Sequence, residues 1–180
     1  RKATLPKLLL EATGRYSGLV KLDGAAQLQD YVAGLPFARV DPADPQAAAK
    51  LVLNYEAAGA VDDLQINPIE CDTGKLGQGD GPVQVEQHFF FQGFRRLFYV
   101  GRLQADPKPL LEPNRDSLRY REWVQPIVEP FDLKGNSMWT QMPLAAGKEI
   151  QAWLYLPSQR RVRRIPEPQR STAQLLPDID

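Results

Sequence analysis

The sequence predicts an α+β fold in which alanine-rich helices near the N-terminus precede a largely antiparallel β-sheet. Three observations carry that expectation. Residues 23–59 hold two segments with apolar side chains at helical spacing. From Val61 onward the pattern changes to short, aromatic, turn-bounded stretches, at least six of which alternate like strands. Most of those stretches are joined by short links, as in an antiparallel meander.

Residues 1–22 are weakly patterned, with an apolar cluster at Leu8, Leu9 and Leu10 and a turn region between Gly14 and Gly18. Asp23 is placed to cap a helix running to about Ala33, since Leu28, Tyr31 and Val32 fall at i, i+3 and i+4 and Gly34 stands where a left-handed terminator belongs. A second helix is expected from Asp44 as N-cap and Pro45 at the first helical position. Its apolar stripe is Ala48, Leu51, Val52 and Tyr55, and Gly59 closes it. Residues 71–82 hold four glycines and read as a loop or a wide hairpin connection. They are not a phosphate loop, because Gly74-Lys75 is followed by Leu76 rather than a hydroxyl residue.

Residues 83–92 and 97–103 are expected as neighbouring strands joined by a turn over residues 93–96, with Val83, Val85, Phe89 and Phe91 on one face. A long extended region follows at residues 117–131, where Pro126 and Pro130 forbid regular ladder bonding. Residues 131–136 carry a turn and residues 137–142 another strand. The last pair, residues 150–156 and 160–165, reads as a hairpin turning at Pro157-Ser158-Gln159. Alternation puts Gln151, Trp153 and Tyr155 on one face and Ile150, Ala152 and Leu154 on the other. In the arginine-rich strand, Arg160, Val162 and Arg164 share a face, opposite Arg161, Arg163 and Ile165.

At 180 residues the chain is long enough for one domain with a real core. Its 43% hydrophobic and 24% charged content are those of a globular protein. The formal net charge of zero removes any global attraction to polyanions. Charge is unevenly spread, with 8 Lys/Arg against 12 Asp/Glu in residues 1–93 and 14 against 10 in residues 94–180. The single cysteine, Cys71, excludes an intrachain disulfide. No apolar run approaches a membrane span. The chain begins with Arg1 rather than Met, as a processed or truncated protein would, and the sheet pattern stops soon after its last hairpin, as in the N-terminal part of a larger domain.

No catalytic constellation stands out. His88 is the sole histidine and has no nucleophile motif or second metal ligand at useful spacing, so it reads as structural, and no cofactor is implied. Arg160, Arg161, Arg163 and Arg164 are the strongest anomaly. They fit cross-strand pairing with carboxylates, recognition of a lipid phosphate or carboxylate by bidentate guanidinium groups, or docking to an acidic partner. Nucleic acid fits least, since the chain is neutral and Trp153 and Tyr155 lie in a hairpin without an RNA-binding signature.

Several blocks also resemble a known family: residues 31–37 (YVAGLPF) with the Asp-Pro-rich link and helix through Asn54, residues 130–135 (PFDLKG), residues 153–157 (WLYLP), and residues 160–164 (RRVRR), followed by Gln169-Arg170-Ser171 and Asp178-Ile179-Asp180. Together they resemble a proteobacterial domain-of-unknown-function family whose members are labelled outer-membrane lipoprotein-sorting proteins, similar to the LolA/LolB carriers. The resemblance implies a curved antiparallel β-sheet forming an incomplete half-barrel, with two or three helices at its N-terminal side and a hydrophobic cavity between. It also implies an exported protein of the Gram-negative periplasm that is not an enzyme and carries a lipid or other hydrophobic small molecule. An inner-membrane exporter or an outer-membrane protein is then the expected macromolecular partner. The candidate lining residues are Phe89, Phe91, Tyr99, Trp123, Trp139, Trp153 and Tyr155, with Arg161 and Arg163 for a headgroup. The rival reading is an envelope interaction module that docks through the arginine hairpin.

Overall fold

The computed structural model describes residues 4–24, 28–59, 62–75, 77, 81, 84–145 and 148–165. Among them are two α-helices and three sheets of mixed α+β architecture, mostly antiparallel and without a closed barrel. The chain divides into two compact units, Arg1–Asp63 with Leu97–Tyr120 and Met142–Glu149, and Leu64–Arg96 with Arg121–Gln141 and Ile150–Asp180.

The first unit opens with helix α1, Lys7–Tyr16. The stretch 1–22, expected to be weakly patterned, is thus where the first helix lies. Leu9 and Thr13, one turn apart, are its buried residues. The Thr13 hydroxyl donates to the Leu9 carbonyl at 2.7 Å and accepts from Leu35 N–H at 2.8 Å, tying the helix to the segment after Gly34. Gly34 has φ +82°, and a Cβ there would fall 2.4 Å from Thr13 N, so only glycine permits this approach. The helix expected over residues 23–33 is not formed. Strands β1 (Lys21–Leu22) and β2 (Leu28–Gln29) pair antiparallel instead, Lys21 facing Gln29. Gly34 therefore serves a tight approach of two backbones rather than a helix end, and Tyr31 supports it by donating its hydroxyl to the Gly34 carbonyl at 3.0 Å.

Helix α2, Ala47–Ala58, matches the second expected helix, but its start and its buried face differ. Asp44 caps a preceding turn, accepting from Gln46 N–H at 2.8 Å, while its carbonyl accepts from Ala47 N–H at 2.9 Å. The hydrogen bond from Lys50, and after it the one from Gln46 N–H, hold the Asp44 carboxyl below its ordinary range. The expected stripe faces outward, with Leu51 59%, Val52 57% and Tyr55 83% exposed. The anchored side is set by Asn54, whose amide donates to the Phe37 carbonyl at 2.8 Å and accepts from Phe37 N–H at 3.0 Å, and by buried Ala57. A polar residue that satisfies both backbone groups of Phe37 outweighs apolar periodicity here.

A buried ionic node completes this unit. Arg102 is 3% exposed and forks onto Asp63, with Nη1 to Oδ1 2.8 Å and Nη2 to Oδ2 3.1 Å. It also donates to the carbonyls of Pro107 at 2.7 Å and Phe98 at 2.9 Å. The adjacent Asp62 carboxylate accepts from the N–H groups of Leu103, Gln104 and Ala105. This is the backbone-capped arrangement that permits a buried carboxylate.

Strands β3 (Asp63–Ile66), β4 (Ile69–Lys75), β5 (Gln84–Phe91), β6 (Phe94–Phe98), β7 (Leu118–Val124), β8 (Ile127–Glu129), β9 (Ser137–Pro143), β10 (Gln151–Leu156) and β11 (Arg161–Ile165) follow in chain order. They form a six-stranded sheet, β11-β10-β9-β7-β6-β3, and a three-stranded one, β4-β5-β8. The two stretches expected as neighbours, residues 83–92 and 97–103, are not paired. β5 lies between β4 and β8, whereas β6 starts at Phe94, inside the expected turn, and belongs to the other sheet. The switch occurs at Gly93, where a Cβ would fall 1.8 Å from Asn67 Oδ1 and 2.4 Å from the Ile66 carbonyl oxygen. Past Phe98 the chain leaves the ladder toward the Arg102 node. The expected loop over residues 71–82 is strand as far as Lys75 and pairs with β5, so its beginning is the hairpin arm; residues 76, 78–80, 82 and 83 lie outside the described set, as does the tail 166–180.

Within the second unit, Phe89, Phe91 and Ile127 form a buried cluster with Ile69, Cys71, Val124 and Leu133 against it. Burial, and then the charge of Asp72, push the Cys71 thiol above its ordinary value. Ala152, Leu154 and Ile165 form a second cluster with Met138 and Leu156. The expected closing hairpin is formed, with Tyr155 facing Val162 and Trp153 facing Arg164; it turns through Pro157–Gln159, and Arg160, expected in the second strand, belongs to the turn, left-handed at φ 49°.

Candidate functional site

Pairing in β7, β9, β10 and β11 dictates what shares the open face of the six-stranded sheet. Directly opposed residues of an antiparallel ladder point the same way. Trp139 faces Trp153, Ser137 faces Tyr155, and Tyr155 faces Val162 across the next ladder. Trp123 of β7 joins them, and the residues enclose an open groove of about 310 Å³ lined also by Met138. Trp139 is 40%, Tyr155 39% and Val162 63% exposed, while the alternate residues Ala152 and Leu154 are buried on the other side. A row of large apolar side chains left partly in water marks a binding surface more than a core.

Guanidinium groups border the groove. Arg95 lies over the Trp123 ring at 5.7 Å and Arg121 over Trp139 at 5.9 Å. Each such contact contributes about 0.5–1 kcal/mol at an exposed site. Arg164, opposite Trp153, is on the same face. Arg161 and Arg163 oppose Leu156 and Leu154, so they stand exposed on the face away from the aromatic groove.

The nine sequence-derived candidates therefore separate into four environments, the far face with Arg161 and Arg163 being one. Trp123, Trp139, Trp153 and Tyr155 come together in the groove. Phe89 and Phe91, 1% and 8% exposed with ring centroids 6.2 Å apart, belong to a filled core. Tyr99 is 8% exposed in the first unit, with its backbone N–H on the Arg119 carbonyl at 3.0 Å and its carbonyl on Leu111 N–H at 2.8 Å. Sequence reasoning did not place Arg95, Arg121, Arg164 and Val162 beside the aromatic residues. The signal for Arg121 and Arg164 was present, because two-residue alternation puts Arg121 with Trp123 and Arg164 with Val162. The role of Arg95 was masked by the assignment of residues 93–96 to a turn.

His88 pairs across strands with Asp72, Nδ1 to Oδ1 2.6 Å, in an exposed position. The hydrogen bond to Asp72 raises its pKa, and the charges of Asp72, Glu70 and Glu129 add to that. Among the described residues no group of three or more His, Cys, Asp or Glu is arranged to hold a metal ion, and no helix is long and apolar enough to cross a membrane. Comparison with curated proteins and with solved structures gives no match. A family model does match, over residues 1–180, and by that match the chain belongs to the family described as Protein of unknown function (DUF1329).

Proposed function

We propose that this chain is a non-enzymatic carrier that binds a lipid or other hydrophobic ligand along the aromatic groove and works in the bacterial periplasm. The observation that carries the reading is the co-facial set Trp123, Trp139, Trp153 and Tyr155, held open to solvent on one sheet face. Covering that face with an acyl chain gains roughly 25 cal/mol per Å² of apolar surface before ordering costs. Arg95, Arg121 and Arg164 stand where an anionic headgroup of the same ligand would sit. On this reading the six-stranded sheet is one wall of a LolA/LolB-like half-barrel, and the groove of about 310 Å³ lies at the small end of ligand sites. The periplasmic setting rests on the sequence resemblance to lipoprotein carriers.

Organic extraction with mass spectrometry, and uptake of radiolabelled palmitate and phosphatidylglycerol, test the proposal. The expected result is a bound amphiphile whose affinity drops about tenfold or more, the equivalent of 1.4 kcal/mol, in Trp139→Ala with Tyr155→Ala. Absence of any amphiphile and of any uptake by the unaltered protein would overturn it.

A second reading is favoured by a separate observation. Arg160, Arg161, Arg163 and Arg164 are all exposed, β11 is the last strand in the sheet order, and none of the four is in an ion pair among the described residues. That strand suits docking to an acidic envelope protein. Salt-sensitive capture of such a partner, lost when the four arginines become serine, would support this reading over the carrier.

A further inference from the structure

The first unit contains a cavity of about 240 Å³ between α2, the segment around Tyr31 and the turn that follows β9. Its walls are apolar, supplied by Leu28, Leu53, Met142 and Leu144 with the ring of Tyr31. Three ionic residues line it: Arg119, Glu56 and Lys148. Arg119 Nη1 holds Glu56 Oε2 at 2.7 Å. Two cations against one carboxylate leave a surplus of one positive charge at an apolar cavity. Tyr31 does not alter that count, since its hydroxyl is committed to the Gly34 carbonyl and burial pushes its pKa up to about 12, opposed in part by Arg119.

We infer that this cavity is a second binding site, for a compact amphiphile with a short apolar body and a single anionic group. A cavity of 240 Å³ has room for roughly eight water-sized groups, which matches a medium-length acid rather than a full phospholipid. The anionic end is drawn to Arg119 and Lys148, and Glu56 is the built-in competitor that occupies Arg119 in the absence of ligand. A carboxylate and a phosphate monoester share this chemistry. The site uses residues separate from the aromatic groove and stands whether or not the carrier reading does.

Titration calorimetry of the full chain with octanoate, octyl phosphate and neutral 1-octanol tests the inference. Saturable binding of octanoate or octyl phosphate is expected, with 1-octanol at least about tenfold weaker; the stronger of the two anions identifies the headgroup class. Leu53→Trp, which fills the cavity without touching a charge, should abolish binding. Arg119→Met should weaken it about tenfold and Glu56→Gln should tighten it severalfold. The tightening is the decisive readout, because a purely structural ion pair gives no gain when broken. Trp139→Ala should leave octanoate affinity unchanged, which separates this site from the groove. Absence of saturable binding to either anion, equal affinity for octanol, or indifference to both Leu53→Trp and Glu56→Gln would overturn it.

Discussion

Arg102 binds the Asp63 side chain and the carbonyls of Asp62, Phe98 and Pro107, joining residues 98–107 to the distant 62–63 segment, and its own side chain is 2% exposed. Arg102→Met keeps the stem but strands the carbonyls of Pro107 and Phe98 and frees Asp63. The expected loss is about 3 kcal/mol, measured by urea unfolding. Asp63 is 46% exposed, so rehydration of its carboxylate limits the cost. Gly34→Ala acts through backbone rather than charge. Its Cβ would strike Thr13 N at 2.4 Å while φ is +82°, and a loss of more than about 1–2 kcal/mol is expected by the same measurement. Neither effect was legible in the sequence. Arg102 and Asp63 are 39 positions apart with no spacing rule to join them, and Gly34 looked like a helix terminator because its true neighbour is α1.

At the scale of elements, the β10–β11 hairpin was readable down to which side chains of each strand share a face, whereas which faces coincide across the pair was not, so that Arg161 and Arg163, expected beside the aromatic residues, lie on the far side. A tight turn fixes register locally, and alternation does the rest. Pairing of β5 with β4 and β8 was not readable, since it depends on Gly93 admitting the residue 66–67 link. The outward face of α2 was misread for a related reason: Asn54 binds Phe37, which periodicity does not weigh. A prediction belongs to the hairpin. Arg160 is left-handed at φ 49°, ψ 37°, so Arg160→Gly removes a strain of about 1–2 kcal/mol at some entropic cost. A net stabilisation of up to about 1 kcal/mol in thermal unfolding is expected, with amphiphile uptake by the groove unchanged.

For the whole molecule, net charge is zero and there is a single histidine. Between about pH 6 and 8 an unperturbed His side chain is the one that changes charge, so the stability profile there reports His88. Its folded pKa lies above the ordinary value through Asp72, with help from Glu70 and Glu129. Its contribution is therefore fully present below about pH 6.5 and is lost as pH rises through the higher folded value. A chemical-denaturation midpoint that declines across this window, and a flat profile in His88→Gln, are expected.

The groove also has an optical consequence. The chain has three tryptophans, and all three line that one surface. Tryptophan emission, excited selectively over the six tyrosines, thus comes from the candidate site alone, without a probe or label. An amphiphile settling there should shift the spectrum to shorter wavelength and shield it from acrylamide, while octanoate in the α2 cavity should leave it unaltered. One titration in a fluorimeter then tells the two sites apart.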